Sequence, residues 1–493
     1  MNKSASVTQD FADWLSPMLV KELRQGMRSK VLTTSLFLLQ GLLICNVIAG
    51  FGSGGSEVNL RVTNGFFWSI LALPLLLILP GSALGSLGNE IKANTLELIF
   101  LTRLTSRRIV LGKWIAVMAQ AALLAVTVLP YVALRYYMGG VNVTRDLLTV
   151  GLMLGLSAML TAITVALSAF QSKLLRVFII IGFILLLQSG FYIAALLAFD
   201  SGGFAVGGTG RADGLLFLGQ FAMALLLIGL MLEVGAARIA PEAENHAGPL
   251  RLLVLLLVLV GGFTAMRAPD ARWLLILAEA VAGLFCLGAL SENIPGVKSL
   301  YGPFTRRGVP GKAAALVFTP GWVPGVFFTL LVIGLLGLFW QGAGWLRFGA
   351  NEQDQLRLAS FLGFSATLLL PAALISVRFR KRGFFYIGFT AICAGVFFFL
   401  TMLTNTQGNS HLYQFGAFLP PIAIFSIGFE ELDEMLPVVL LWLFALNVLA
   451  LVLLAWKCRA PLRDLRARLE NRMKKDQPQI FADENRGYSN KSA

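Results

Sequence analysis

Three groups of polar residues interrupt an otherwise apolar sequence. The first lies in WLSPMLVKELRQGMRSK, residues 14–30, where Leu15, Leu19, Leu23 and Met27 recur every four residues while Lys21, Arg24 and Arg28 line another face. That spacing separates an apolar from a cationic helical face, the pattern of a helix lying in a membrane interface or of a simple basic anchor. Ser16 can cap this helix and Pro17 can take its first position. The second group follows in GNEIKANTLELIFLTRLTSRRIVLGKW, residues 88–114. Glu90, Asn94 and Glu97 are spaced i, i+4, i+7, with Leu96, Ile99 and Phe100 as an apolar stripe beside them. Carboxylates next to exposed apolar side chains make a surface that a partner protein can grip, or a helix resting on headgroups. Thr105 and Ser106 can cap the next helix, whose first turns carry Arg107 and Arg108 before Lys113. The third feature is Glu279, inside the apolar run LAEAVAG. A charge at mid-bilayer costs about 2.5–3.5 kcal/mol on insertion scales. Glu279 is therefore either a substrate or proton site facing a bundle interior, or a carboxyl near the outer third paired with Arg272.

Other chemistries find no residues to carry them. The closest approach to a phosphate-binding loop, at Gly311-Lys312, has Arg306 where the first Gly belongs and Ala313 where the Mg²⁺ hydroxyl belongs. Two histidines, His246 and His411, cannot build H-E-x-x-H, and C-x-x-C is absent. No catalytic, cofactor-binding or metal-ligating residue is expected, and the chain is not expected to hydrolyse ATP by itself.

The elements that hold these residues follow from composition. Of 493 residues, 57% are hydrophobic and 13% charged, against about 25% charged in an average soluble domain. Mean hydropathy is +0.76. This excludes a disordered chain and a disulfide scaffold, and it implies an all-α polytopic membrane protein. Apolar stretches of spanning length run at about 31–50, 65–87, 113–134, 147–170, 177–199 and 215–236, then at about 252–266, 273–290, 323–346, 358–377, 384–404 and 435–456. About twelve transmembrane helices in two six-helix halves are expected. The division is 1–30 for the cytoplasmic N-terminus, 31–236 and 237–456 for the two membrane domains, and 457–493 for a basic tail. The 414–429 segment, with Pro420-Pro421, is too short to cross and reads as re-entrant or interfacial.

The net charge is +14. With both termini cytoplasmic, all but eight of the 40 basic residues fall in cytoplasmic segments; the exceptions, all arginines, include Arg135, Arg272 and Arg357. The excess is thus a matter of topology and requires no nucleic-acid partner. The cytoplasmic 291–322 loop, rich in Pro and Gly, is expected to be mostly irregular. The tail after Lys457, with Leu462, Leu465 and Leu469 among its cations, is expected to lie as an amphipathic helix on anionic headgroups. Gln40, Asn46, Gln120, Gln188 and Gln220 are expected to make interhelical hydrogen bonds.

The two N-terminal groups also carry a family resemblance. Pro17-x-x-x-Lys21-Glu22-Leu23-Arg24 before the first span resembles the elbow helix of type-2 ATP-binding-cassette (ABC) permeases, the membrane subunits of exporters. Glu90…Asn94-Thr95-Leu96-Glu97-Leu98…Leu101-Thr102-Arg103-Leu104-Thr105…Ile109-x-x-Gly112-Lys113 resembles their coupling segment, with Asn94 in place of the usual Gly and Arg103 in place of the usual Pro. The resemblance covers about residues 14–236. It implies a permease without an ATPase of its own, at a bacterial inner membrane. A separate cytoplasmic ATP-binding subunit would dock on Glu90, Thr95, Leu96 and Glu97, with Lys21, Glu22 and Arg24 of the elbow as further contacts. The second half lacks the pattern, so two ATPases would require two chains, as a homodimer or with a homologous permease. An ion-gradient-driven secondary transporter and a non-transporting membrane scaffold are the alternatives.

Overall fold

A computed structural model describes residues 17–52, 57–92, 104–138, 143–170, 211–241, 244–268, 271–292, 304, 308–346, 351–375, 382–407, 412–425 and 435–489. Among the described residues the chain is helical and without strands. Ten of these helices are long and apolar enough to cross a membrane. Of the expected spans, 177–199 lies outside the described residues, and 384–404 falls in a helix from Arg382 to Gln407 whose Gly388–Leu400 portion is a shorter apolar stretch. The four cysteines are free thiols. The chain divides into two compact units, Met1–Thr209 with Ala224–Ala240, and Gly210–Met223 with Pro241–Ala493.

Unit 1 contains α1 (Pro17–Met27), α2 (Lys30–Gly52), α3 (Glu57–Ala72), α4 (Leu79–Ala83), α5 (Ser86–Lys92), α6 (Ser106–Met138), α7 (Val143–Ser168) and the second half of α8 (Arg211–Ile239). Its main core joins Leu39 and Leu43 of α2 to Phe67 and Leu71 of α3 and to Leu124 and Val128 of α6. On the outer face of α2, Phe37 is 70% and Ile48 65% exposed. Such an apolar exterior is tolerable only where the solvent is lipid.

The second span is not one α-helix. Between α3 and α4 the chain passes through a π-helix, Leu73–Ile78, with Pro74 near its start. A proline inside a span cannot donate its backbone hydrogen bond, and the ladder widens to i→i+5. The buried Ser157 hydroxyl of α7 donates to Leu75 O at 2.7 Å, which supplies the loosened carbonyls with a donor where water is absent. At the far end of α6, Arg135 is not the loop charge expected of it. It is 7% exposed, 3.0 Å from Asp146 of α7, and its guanidinium lies 4.0 Å from the centroid of the Phe67 ring. Gln40 and Asn46 act as expected, Tyr131 donating to Gln40 at 2.7 Å and Asn46 to Thr63 O at 3.1 Å. Gln188 lies outside the described residues.

Unit 2 contains α9 (Ala247–Arg267), α10 (Arg272–Ser291), α11 (Gly308–Phe318), α12 (Trp322–Gly342), α13 (Glu352–Leu374), α14 (Arg382–Gln407), α15 (Pro420–Ala423) and α16 (Leu436–Ser489). The 291–322 loop was expected to be irregular, yet it carries α11. Pro310 falls in that helix's first turn, where a missing N–H costs nothing. In the described part of the 414–429 segment, a 3-10 helix over Leu412–Phe418 precedes α15. Ala417 and Ala423 are buried against α13 and α16, and Trp442 donates to Phe418 O at 3.0 Å.

The basic tail is helical, as expected. α16 runs helically from the last span to Ser489, with Pro461 and Pro478 inside it, the positions at which a helix bends. Its Lys457 donates to the terminal carbonyls of α13, Ala373 O, Leu374 O at 3.2 Å and Ile375 O at 3.1 Å, and Leu465 is buried against Ala315 of α11. Asn447 of α16, which the sequence did not single out, locks α13 by donating to Leu362 O at 3.0 Å and accepting from Ser365 at 2.8 Å.

Glycines set how closely these helices approach. A Cβ on Gly325 of α12 would collide with the Ala289 carbonyl of α10, whereas Gly334 of the same helix faces open space. Replacing Gly325 by Val is expected to destabilise the protein by about 1–3 kcal/mol, the usual cost of overpacking, and Gly334→Ala to leave stability unchanged or slightly raised. Thermal midpoints in detergent check this, and equal midpoints for the two variants would contradict it.

Candidate docking site

The two N-terminal sequence features meet at one ammonium group. Lys113 stands two turns into α6, near the end of the resemblance motif. Its Nζ donates to Glu22 Oε1 of α1 at 3.1 Å and to Glu90 Oε1 of α5 at 2.9 Å. The lysine side chain is 4% exposed, and the two carboxylate side chains are 15% and 16% exposed. The bridges are therefore largely shielded from the solvent that would weaken them.

Each partner is held from its own side. α1 carries Glu22 and Gly26 one turn apart, facing α6. A Cβ at Gly26 would meet the amide end of the Gln120 side chain of α6, which would have to move aside. The turn from α1 to α2 is closed by Ser29 N donating to Gly26 O at 3.1 Å and by Leu32 N donating to Ser29 Oγ at 3.2 Å. α5 is only two turns long and is anchored at its start by α7. Leu87 N donates to the buried Ser168 Oγ at 3.2 Å, a capping bond supplied from another helix. Beneath it, Ala83, Leu87, Ile109, Val110, Val165 and Ala236 form a second core.

A second bridge ties α6 to α8 within the same unit. Arg107 grips Glu233 through both carboxylate oxygens, Nε to Oε2 at 2.8 Å and Nη2 to Oε1 at 2.8 Å. The fork-on-fork geometry gives direction as well as attraction. α6 is thus fixed at the point where the 93–103 segment joins it, and α5 where that segment leaves.

Among the expected site residues, the structure brings Glu22 and Glu90 together through Lys113 and turns both inward. Lys21 and Arg24 face away from α6 and are exposed. Thr95, Leu96 and Glu97, with Asn94, lie outside the described residues. The sequence missed the role of Lys113. Only its place at the end of the motif marked it, since its partners are 91 and 23 positions away.

Glu279 belongs to unit 2 and to a different environment. It does not pair with Arg272. Trp340 Nε1 of α12 donates to Glu279 Oε2 at 2.9 Å, and Arg272 donates to Ala343 O at 3.2 Å. Trp340 in turn lies 4.3 Å from Trp345, centroid to centroid. Unit 2 has an ionic junction of its own that the sequence did not suggest. Arg251, counted there as a loop charge, is 3% exposed. It donates to Val317 O at 2.6 Å, Thr319 O at 2.8 Å and Glu292 Oε2 at 2.7 Å. Glu292 Oε2 also accepts from Gly321 N at 2.9 Å, at a residue whose φ of 133° favours glycine. Burial raises the Glu292 carboxyl above its usual range, and the Arg251 guanidinium with the Gly321 N–H works against that rise.

The fold defines an integral membrane protein of the polytopic helical class. No protein-family model matches the chain, and no curated protein or solved structure is significantly similar to it.

Replacing Lys113 by Met leaves two carboxylates facing each other in a shielded site, a loss of at most about 3–5 kcal/mol. Deuterium uptake over residues 17–27 is expected to rise, while Lys113→Arg keeps most of the protection. Unchanged uptake in the Met variant would show that α1 is held by packing alone.

Proposed function

We propose that this chain is the membrane permease subunit of an ABC-type exporter, powered by a separate ATP-binding subunit on the cytoplasmic side. One observation carries the reading: Glu22, Glu90 and Lys113, drawn from the two motifs that resemble type-2 ABC permeases, form a single bridge. In this reading α1 is the elbow helix, and segment 93–103 is the docking element, presented between the anchored α5 and α6. Thr95, Leu96 and Glu97 contact the ATPase, and Glu22 and Glu90 brace the elements behind them. Closure of two ATPases would push on the docking segments of two permease chains, a homodimer or a pair with a homologous permease. ATP is bound by the partner, in a bacterial inner membrane with both chain termini cytoplasmic.

Glu279 favours a second reading, because a carboxyl within a span whose partner is a neutral indole suits ion coupling. The two readings separate in one experiment. Purified from its native membrane, the chain is expected to carry a stoichiometric ATP-binding protein and its nucleotide hydrolysis. Glu97→Arg is expected to lower the retained ATPase at least tenfold without loss of the folded permease. Transport by the purified chain alone, driven by an ion gradient without ATP, would overturn the ABC reading in favour of the secondary transporter.

A further inference from the structure

The cationic face of α1 is not used by the bridge that holds this helix. Glu22 and Gly26 face α6, whereas Lys21, Arg24 and Arg28, spaced i, i+3, i+7, occupy the opposite face, and all three are exposed. They line an open surface groove of about 800 Å³ together with Val20, Gln25 and Ser29. The groove reaches Ser29, and one residue later α2 enters the apolar span. α2 turns large apolar side chains outward, Val31, Phe37, Leu38, Ile44 and Ile48. A triply cationic groove is thus followed in the chain by an apolar, membrane-length face.

We infer that this groove binds the phosphate headgroup of an anionic phospholipid, with the acyl chains lying along the outer face of α2. Charge complementarity selects an anion, and the apolar face that follows selects one that carries hydrocarbon. A zwitterionic lipid offers no net charge to three cations, and a free anion would gain nothing from α2. Lysine and arginine near a membrane surface each favour anionic lipid by about fivefold. This inference does not involve the 93–103 segment, and it assigns Lys21 and Arg24, which the family resemblance offers as further ATPase contacts, to lipid instead.

The test uses the full chain in nanodiscs of phosphatidylcholine and phosphatidylglycerol in equal amounts, with lipids retained after extraction counted by native mass spectrometry. The wild type is expected to retain phosphatidylglycerol preferentially, and less so as salt rises. The combined variant K21Q/R24Q/R28Q is expected to lose roughly a hundredfold of that preference, about fivefold for each charge. R459Q/R463Q, which removes exposed cations from α16, is expected to keep it. Should the triple variant fail to fold, Arg28→Gln alone is expected to lose about fivefold, and K21R/R24K/R28K to behave as wild type. Undiminished preference in the glutamine variants would overturn the inference. So would displacement of the lipid by millimolar inorganic phosphate, which would mark the groove as a site for free anions.

Discussion

A lysine shared between two carboxylates holds three helices in one arrangement. Each carboxylate would repel the other at this separation, and only the ammonium between them makes their approach favourable. Lys113 is on α6, Glu22 on α1 and Glu90 on α5, so none of these elements shifts without lengthening a bond to the others. The supports around the bridge follow from that requirement. Ser168 fixes a helix too short to be stable alone. Arg107 and Glu233 hold the start of α6 while it bears the load of the junction.

Unit 2 solves a related problem at helix ends. The last four carbonyls of a helix have no partner within it, and in a protein with little water at hand that debt falls on side chains. Arg251 meets the carbonyls of Val317 and Thr319 at the end of α11, and Lys457 those of Ala373, Leu374 and Ile375 at the end of α13. Both sites place a cation where a helix dipole turns its negative end. A basic residue near the close of a helix can therefore serve as a cap as well as a mark of topology.

That double use explains what the sequence made legible. Hydropathy located the spans because a lipid-facing helix is apolar on its outer faces too, as Phe37 and Leu441 show. The cationic face of α1 was legible because a period of 3.6 gathers Lys21, Arg24 and Arg28 on one side, but the inward turn of Glu22 and Gly26 was not. The partners of Lys113, Arg135 and Arg251 were not, because a contact between distant positions leaves no spacing pattern. Arg135 and Arg251 counted as loop charges for the same reason: their burial depends on Asp146 and Glu292, and residue type alone does not announce it. α11 was hidden by Pro310 and its glycines, which signal a loop unless the proline is seen to fall in a first turn. The helix of the tail was legible from its amphipathic spacing, but its packing was not. Only continuity with the span and the burial of Leu465 supply that.

The placement of charge also bears on how such a molecule could be driven. Among the described residues of unit 1, three ionic sets pair opposite signs, Lys113 with its two carboxylates, Arg107 with Glu233, Arg135 with Asp146. Groups so paired gain little from binding or releasing an ion, because each change would leave a buried charge unmatched. They suit a frame that transmits force better than one that carries protons. Glu279 differs, since the indole of Trp340 gives it one hydrogen bond and no charge. If energy reaches unit 1 as a push on the segment between α5 and α6, the bridge at Lys113 carries it to α1 and the first span.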